Sequence, residues 1–163
     1  MIQRTLVLLK PDAVQRGLTG RILERFENAG LKIVAMKMVW ADEKLADEHY
    51  KDLGERRGPE VKRRMVEFLT KTGPVIALVL EGVEAVEVVR KLVGGTEPKT
   101  ALPGTIRGDF AHLSLVYGDK KNKGVPNLIH ASGSVEEAKK EISLWFKPNE
   151  IHSYKLSYED HVL

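Results

Sequence analysis

The sequence predicts an α+β fold, a ferredoxin-like α/β sandwich in which a four-stranded antiparallel sheet carries helices on one face. Three observations predict it. Short apolar runs bounded by charge alternate with segments of helical period, giving a β-α-β order that occurs twice. Each proposed helix has a recognisable start or stop residue. The chain has 163 residues, 42% hydrophobic and 30% charged, which suits a single domain spanning 1–163.

The first strand is the compact run Thr5-Leu6-Val7-Leu8-Leu9, whose end delivers Lys10, Pro11 and Asp12 into a loop. A helix follows from about Thr19 to Ala29, with Ile22, Leu23, Phe26 and Ala29 at helical spacing and Gly30 as its stop. Leu31 to Trp40 alternates in part and reads as a second strand. Ala41 to Leu53 reads as a helix or helical arm, with Asp42 as its cap. Gly58-Pro59 opens another helix, because proline suits a first helical position. Its apolar stripe is Val61, Met65, Phe68 and Leu69. Pro74 to Leu80 is apolar throughout and reads as the third strand. The helix from Val83 to Val93, ended by Gly94-Gly95, buries Ala85, Val86, Val89 and Val93 and turns Arg90 elsewhere.

From Gly94 to Phe110 the chain is rich in Gly, Pro and Thr and reads as loop with short turns. His112 to Tyr117 alternates and is expected to be the fourth strand, followed by a polar, basic turn or flap at Gly118–Gly124. The last helix starts at Ser134, with Glu137 at capping-box spacing and Ala138, Ile142 and Trp145 on its buried face.

Composition removes some chemistries. There is no cysteine, so disulfides, thiolate nucleophiles and Cys-based metal sites are excluded. The net charge of +3 is too small to single out a nucleic-acid partner. The apolar run near the N-terminus is too short for a membrane span, and no cleavage-type segment follows it, so a cytoplasmic protein is expected.

His130, in Asn127-Leu128-Ile129-His130-Ala131-Ser132, is the most informative residue. Imidazole has an ordinary pKa of about 6.5, so most of it is uncharged and nucleophilic at neutral pH. Alone, a histidine near a strand end is more often a satisfied polar residue. Passing a phosphoryl group to such a ring requires cations converging on the phosphate oxygens and a partner that fixes the other ring nitrogen. Lys10, Arg90 and Arg107 are the candidate cations. Thr96 and Asn127 offer neutral hydrogen bonds, and Ser132 and Glu141 are placed to order the imidazole. Each has a plainer reading as a solvated surface residue, although Arg107 lies beside Gly108, where backbone and ligand can approach closely.

Several segments carry a resemblance in order: Lys10-Pro11-Asp12-Ala13-Val14-Gln15-Arg16-Gly17, His49-Tyr50, Gly73-Pro74, Pro103 to Phe110, Asn127 to Ser132, and Glu141 to Phe146. Together they make the chain resemble the nucleoside diphosphate kinase family from Thr5 to Tyr154. The resemblance implies a reversible ping-pong exchange, in which a nucleoside triphosphate gives its terminal phosphate to the enzyme and a nucleoside diphosphate takes it. It implies His130 as the residue that becomes phosphohistidine. Lys10, Arg90, Thr96 and Arg107 would hold the β- and γ-phosphates, and Asn127 the sugar hydroxyl. Tyr50 would pack near the phosphates, with Ser132 and Glu141 orienting the ring. It further implies Mg2+ carried on the nucleotide phosphates, and a homo-hexamer or a tetramer of the same dimers.

The chain departs from the family pattern in places. Ala131 stands where glycine is frequent, and Gly133 where aspartate is usual. Val61 stands where the family commonly has the aromatic that stacks on the base, so base contact would be aliphatic, with Arg64 nearby. An insertion at about 112–126 reads as a solvated loop, a subunit contact or part of the nucleotide cleft. A competing reading, a nucleic-acid-binding module, rests on the basic cluster Arg56, Arg57, Lys62, Arg63 and Arg64. The strands lack the paired exposed aromatics such modules use to stack bases. A non-catalytic scaffold descended from the kinase is a third reading, disfavoured because every charged residue of the site pattern is present.

Overall fold

The computed structural model describes residues 1–162. Four strands, β1 (Ile2–Leu9), β2 (Lys32–Val39), β3 (Val75–Val83) and β4 (Ile129–Ala131), form one antiparallel sheet in the order β2-β3-β1-β4. Among the described residues ten α-helices accompany it: α1 (Pro11–Gln15), α2 (Thr19–Asn28), α3 (Glu43–His49), α4 (Lys51–Arg57), α5 (Pro59–Lys71), α6 (Ala85–Val93), α7 (Ile106–Phe110), α8 (Leu115–Lys120), α9 (Val135–Trp145) and α10 (Glu159–Val162). No helix among the described residues is long and apolar enough to cross a membrane.

Both faces of the sheet are covered, not one. On one face Val7, Leu9, Leu78 and Leu80 pack with Ile22 and Phe26 of α2 and Val89 and Val93 of α6. On the other, Leu6, Leu8, Ala77 and Val79 pack with Ala46 of α3, Leu69 of α5 and Trp145 of α9. This is why β1 and β3 are apolar without alternation: a strand buried on both sides has no polar face to show. β2 is an edge strand, with a register irregularity between Ile33 and Ala35, and its Met36 and Met38 are exposed.

Caps hold where side-chain chemistry dictates them. Asp42 accepts from the Leu45 amide, and Ser134 accepts from the Glu137 amide at 3.1 Å. The return half of the capping box is displaced by one residue, with the Glu137 carboxylate accepting from Gly133 N–H rather than from Ser134. Pro59 opens α5, whose fully buried residue is Leu69.

Three expected elements differ. Lys10-Pro11-Asp12 is not a loop, because Pro11 initiates the short helix α1. Within Gly94–Phe110, Thr105 caps the helix α7. His112–Tyr117 is not the fourth strand. Ser114 accepts from the Tyr117 amide and nucleates α8, so a capping hydroxyl decides against an alternation too short to be reliable. The fourth strand is the three-residue β4, which places His130 opposite Leu8 of β1.

Because Ser134 caps the helix that carries Glu141, Ser134→Ala should lower stability by about 1 kcal/mol. A drop in the urea or thermal midpoint checks it; an unchanged midpoint would mean water replaces the cap at no loss.

Candidate active site

His130 lies on the edge strand β4. Residues directly opposite in an antiparallel pair share a face, so its side chain points the same way as Leu8, toward α3 and α9. There its Nε2 meets the Glu141 carboxylate at 2.8 and 3.0 Å. Ser132, two residues along the chain, donates its hydroxyl to the same carboxylate at 2.5 Å. Glu141 is one of the buried residues of α9, beside Ala138 and Trp145. With Glu141 accepting at Nε2, the ring proton sits there, and Nδ1 is left unengaged at the wall of a cleft of about 560 Å³. That volume is in the usual range for a small-molecule site.

The electrostatics keep the ring neutral. Burial lowers the pKa of His130, and the cation of Lys10 pushes it further down; Glu137 opposes, and Arg107 and Arg90 add weaker downward pushes. Burial raises the pKa of Glu141, while His49 and the Ser132 hydrogen bond favour its ionised form.

The cations come from three elements. Lys10, at the end of β1, is buried and donates its ammonium to Asn127 Oδ1 at 2.8 Å. Burial and the neighbouring Arg107 bring its pKa down to about 8, with Asp12 opposing. Arg107, on α7, braces the site through three carbonyls: Nε to Asn127 at 3.2 Å, Nη1 to Gly94 at 3.0 Å and Nη2 to Ile129 at 2.6 Å. Guanidinium carries five N–H groups, so two remain for a ligand. Gly94 takes φ +84, and a Cβ there would collide with Thr105, the cap of α7. Arg90 is exposed on α6 at the cleft wall and makes no side-chain hydrogen bond among the described residues.

Asn127 links the rest: its Nδ2 donates to the Thr96 carbonyl at 2.9 Å while its Oδ1 accepts from Lys10. Thr96 is exposed at the rim. Tyr50, at the C-terminus of α3, lines the cleft with its hydroxyl buried and without a protein partner. Burial and the nearby Glu141 and Asp12 raise its pKa, so it stays a donor.

All ten expected site residues are therefore brought together, Val61 included. It lines the cleft, as do Arg64 and Met65. The 112–126 segment lines the same cleft through Leu115, Asp119, Lys123, Gly124 and Val125, and is tied to α5 by an Arg64–Asp119 ion pair at 3.3 Å. The basic cluster is dispersed: Lys62 pairs with Asp47 and Arg63 with Glu60 and Glu67, while Arg56 and Arg57 turn to the cleft.

Two further residues, His49 and Asp12, are packed into the site. His49 packs edge-on against His130 with ring centres 4.6 Å apart, and its Nδ1 accepts from Trp145 Nε1 at 3.3 Å. Burial holds it neutral. Asp12 is buried, and its Oδ2 accepts from Leu128 N–H at 2.9 Å. The only sequence signal for either is its place inside a quoted run. His49, His130 and Glu141 also bring ligand atoms within 4.8 Å of one another. This nitrogen-rich set, already committed to internal hydrogen bonds, is ill suited to Mg2+, which prefers oxygen.

The profile of the family described as "Nucleoside diphosphate kinase" matches residues 3–151. The nucleoside diphosphate kinase of Borreliella burgdorferi is 49% identical over 157 residues, covering 95% of this chain and 93% of that protein. That of Pyrococcus furiosus is 52% identical over 153 residues, covering 94% and 88%. Among solved structures, a transition-state mimic of the Borrelia burgdorferi enzyme with bound vanadate and ADP superposes with a TM-score of 0.96 at 48% identity, covering 99% of this chain and 96% of that one. The Halobacterium salinarum enzyme in complex with CDP superposes at 0.86 with 39% identity, covering 100% and 99%.

A phosphate contact at Lys10 would need the charged form of its amine. Affinity for ADP should therefore be full near neutral pH and weaken as pH rises through about 8, rather than near the ordinary lysine value of 10.5. Calorimetric titration across that range checks it, and Lys10→Met should weaken binding at neutral pH and remove the inflection.

Proposed function

The chain belongs to the nucleoside diphosphate kinase family, and from that premise we propose that its phosphotransfer runs through a covalent intermediate on His130 Nδ1. One observation carries the reading: Glu141 occupies Nε2, so the free lone pair lies at a cleft wall shared with Lys10, Arg90 and Arg107. In the first half-reaction that lone pair attacks the γ-phosphorus of a nucleoside triphosphate. The bond from phosphorus to the β,γ-bridging oxygen breaks, and its electrons leave with the diphosphate. No proton has to depart from Nδ1, because the ring proton stays on Nε2. Positive charge developing on the ring is met by Glu141, itself held by Ser132. A second nucleoside diphosphate reverses the step. Splitting the transfer in two lowers each barrier.

Lys10, Arg107, Arg90, Thr96 and the Tyr50 hydroxyl bind the β- and γ-phosphates in this reading, and Asn127 keeps its remaining amide hydrogen for the sugar. Such cations act mainly on charge spreading over the migrating group, where losing one donor costs about 10²–10³ in rate. The phosphate end of the cleft offers cations, and its carboxylates are committed, Glu141 to His130 and Glu137 to Gly133. That donor set fits an Mg2+ held by phosphate oxygens and water rather than by protein ligands. When bound, the ion would neutralise β- and γ-phosphate charge alongside these residues. Val61 supplies an aliphatic contact to the base. The exposed Met36, Met38 and Trp40 at the free edge of the sheet support assembly into a homo-hexamer or tetramer, which solution mass at low and high salt tests.

Incubation with γ-labelled ATP should give an acid-labile, alkali-stable label that a nucleoside diphosphate discharges. His130→Ala should keep the fold and take no label; exchange at the parental rate would refute the nucleophile. Val61→Phe should tighten nucleotide binding by about 1–3 kcal/mol, the worth of a stacked base. An unchanged Michaelis constant would place the base elsewhere.

A further inference from the structure

Leu128 has φ +70, in the left-handed region that branched and bulky side chains avoid. It is fully buried in the core, two residues before His130. Such a conformation persists only where the surroundings over-determine it. Here two contacts from the junction of β1 and α1 do so: the Leu128 carbonyl accepts from the Lys10 amide at 2.8 Å, and the Leu128 amide donates to Asp12 Oδ2 at 2.9 Å. The first is backbone and independent of side-chain identity. The second depends on one carboxylate, whose Oδ1 is buried without a partner.

We infer that Asp12 is a positioning residue of the phosphotransfer: by accepting from the Leu128 amide it holds the left-handed turn that sets the depth and angle of His130 in the cleft. Its side chain works through Leu128, with no contact to the reacting atoms. The inference rests on His130 being the nucleophile. Released from this bond, Leu128 relaxes toward ordinary backbone angles and carries β4 with it, while Lys10, whose backbone follows directly on β1, and Arg90, carried by α6, still receive the nucleotide.

An alternative task for Asp12 is charge, as a counter-ion for Lys10, and three variants separate the two. Asp12→Asn keeps the acceptor in place without the charge. Asp12→Glu keeps the charge and moves the acceptor off the amide. Asp12→Ala removes both. A misplacement of about 1 Å is worth about 10²-fold in rate. Positioning therefore predicts Asp12→Asn within about threefold of the parent, with Asp12→Glu and Asp12→Ala down about 10²-fold in kcat. KM for the nucleotide should change only a few-fold. Single-turnover labelling from γ-labelled ATP should show the same order. Asp12→Glu outperforming Asp12→Asn would overturn the inference in favour of charge, and parental rates in Asp12→Ala would overturn it outright. Should Asp12→Ala fail to fold, the order of the other two decides. If His130→Ala removes the label while the Asp12 series is flat, only the inference about Asp12 falls; if His130→Ala still labels, the reading of the nucleophile falls first.

Discussion

The turn at Asn127-Leu128 is the constraint on which the site depends. A three-residue strand at the edge of a sheet has few ladder bonds of its own. The register of His130 is instead imposed by the end of β1 and by α7. Lys10 bonds Asn127 through its ammonium and Leu128 through its amide, Asp12 receives the Leu128 N–H, and Arg107 spans the carbonyls of Asn127 and Ile129. The residues that would neutralise phosphate are thus the same ones that build the turn. A substrate-binding group that is also a brace is pre-organised, with little rotamer entropy left to lose on binding.

Burial is the leading influence on the ionisation of Lys10, Tyr50, Arg107 and His130 in the cleft. Desolvation disfavours charge on Lys10, Arg107 and His130, and carboxylates near them restore it selectively. The histidine ends up neutral among cations, and the cations lie under-satisfied around an empty volume. Both conditions favour an incoming polyanion. Glu141, sunk into the packed face of α9, lies behind the ring and meets its Nε2 at 2.8 and 3.0 Å.

Much of this was legible in the residues. The apolar runs Thr5–Leu9 and Pro74–Leu80, the caps Asp42 and Ser134, and the proline openings of two helices follow from local physical chemistry. Glu141 was readable as a residue beside the core-facing Ile142 able to reach inward. The misplaced fourth strand shows the limit. His112–Tyr117 alternates over six residues, yet the Ser114 hydroxyl stabilises a helical turn there, while the true strand is too short to show any period. The cover on the second face was signalled by the unbroken apolar runs, but which helices supply it is a matter of packing. The 112–126 segment carries no sequence signal for its place against α5 along the cleft.

By itself the sequence carried the resemblance to the family and, through it, the nucleophile candidate and the set of cations, because several motifs follow one another in the family's order along the chain. The tertiary structure alone decided which imidazole nitrogen is free, why Leu128 tolerates its backbone angle, and what Asp12 and His49 touch. The contacts of Asp12 and His49 join atoms more than a hundred or, for His49, some eighty residues apart along the chain, and the His130–Glu141 contact joins a strand to the helix after it; the pairing of β4 with β1 and the packing of α3 on α9 set them together. No local pattern encodes a hydrogen bond between the first strand and the last.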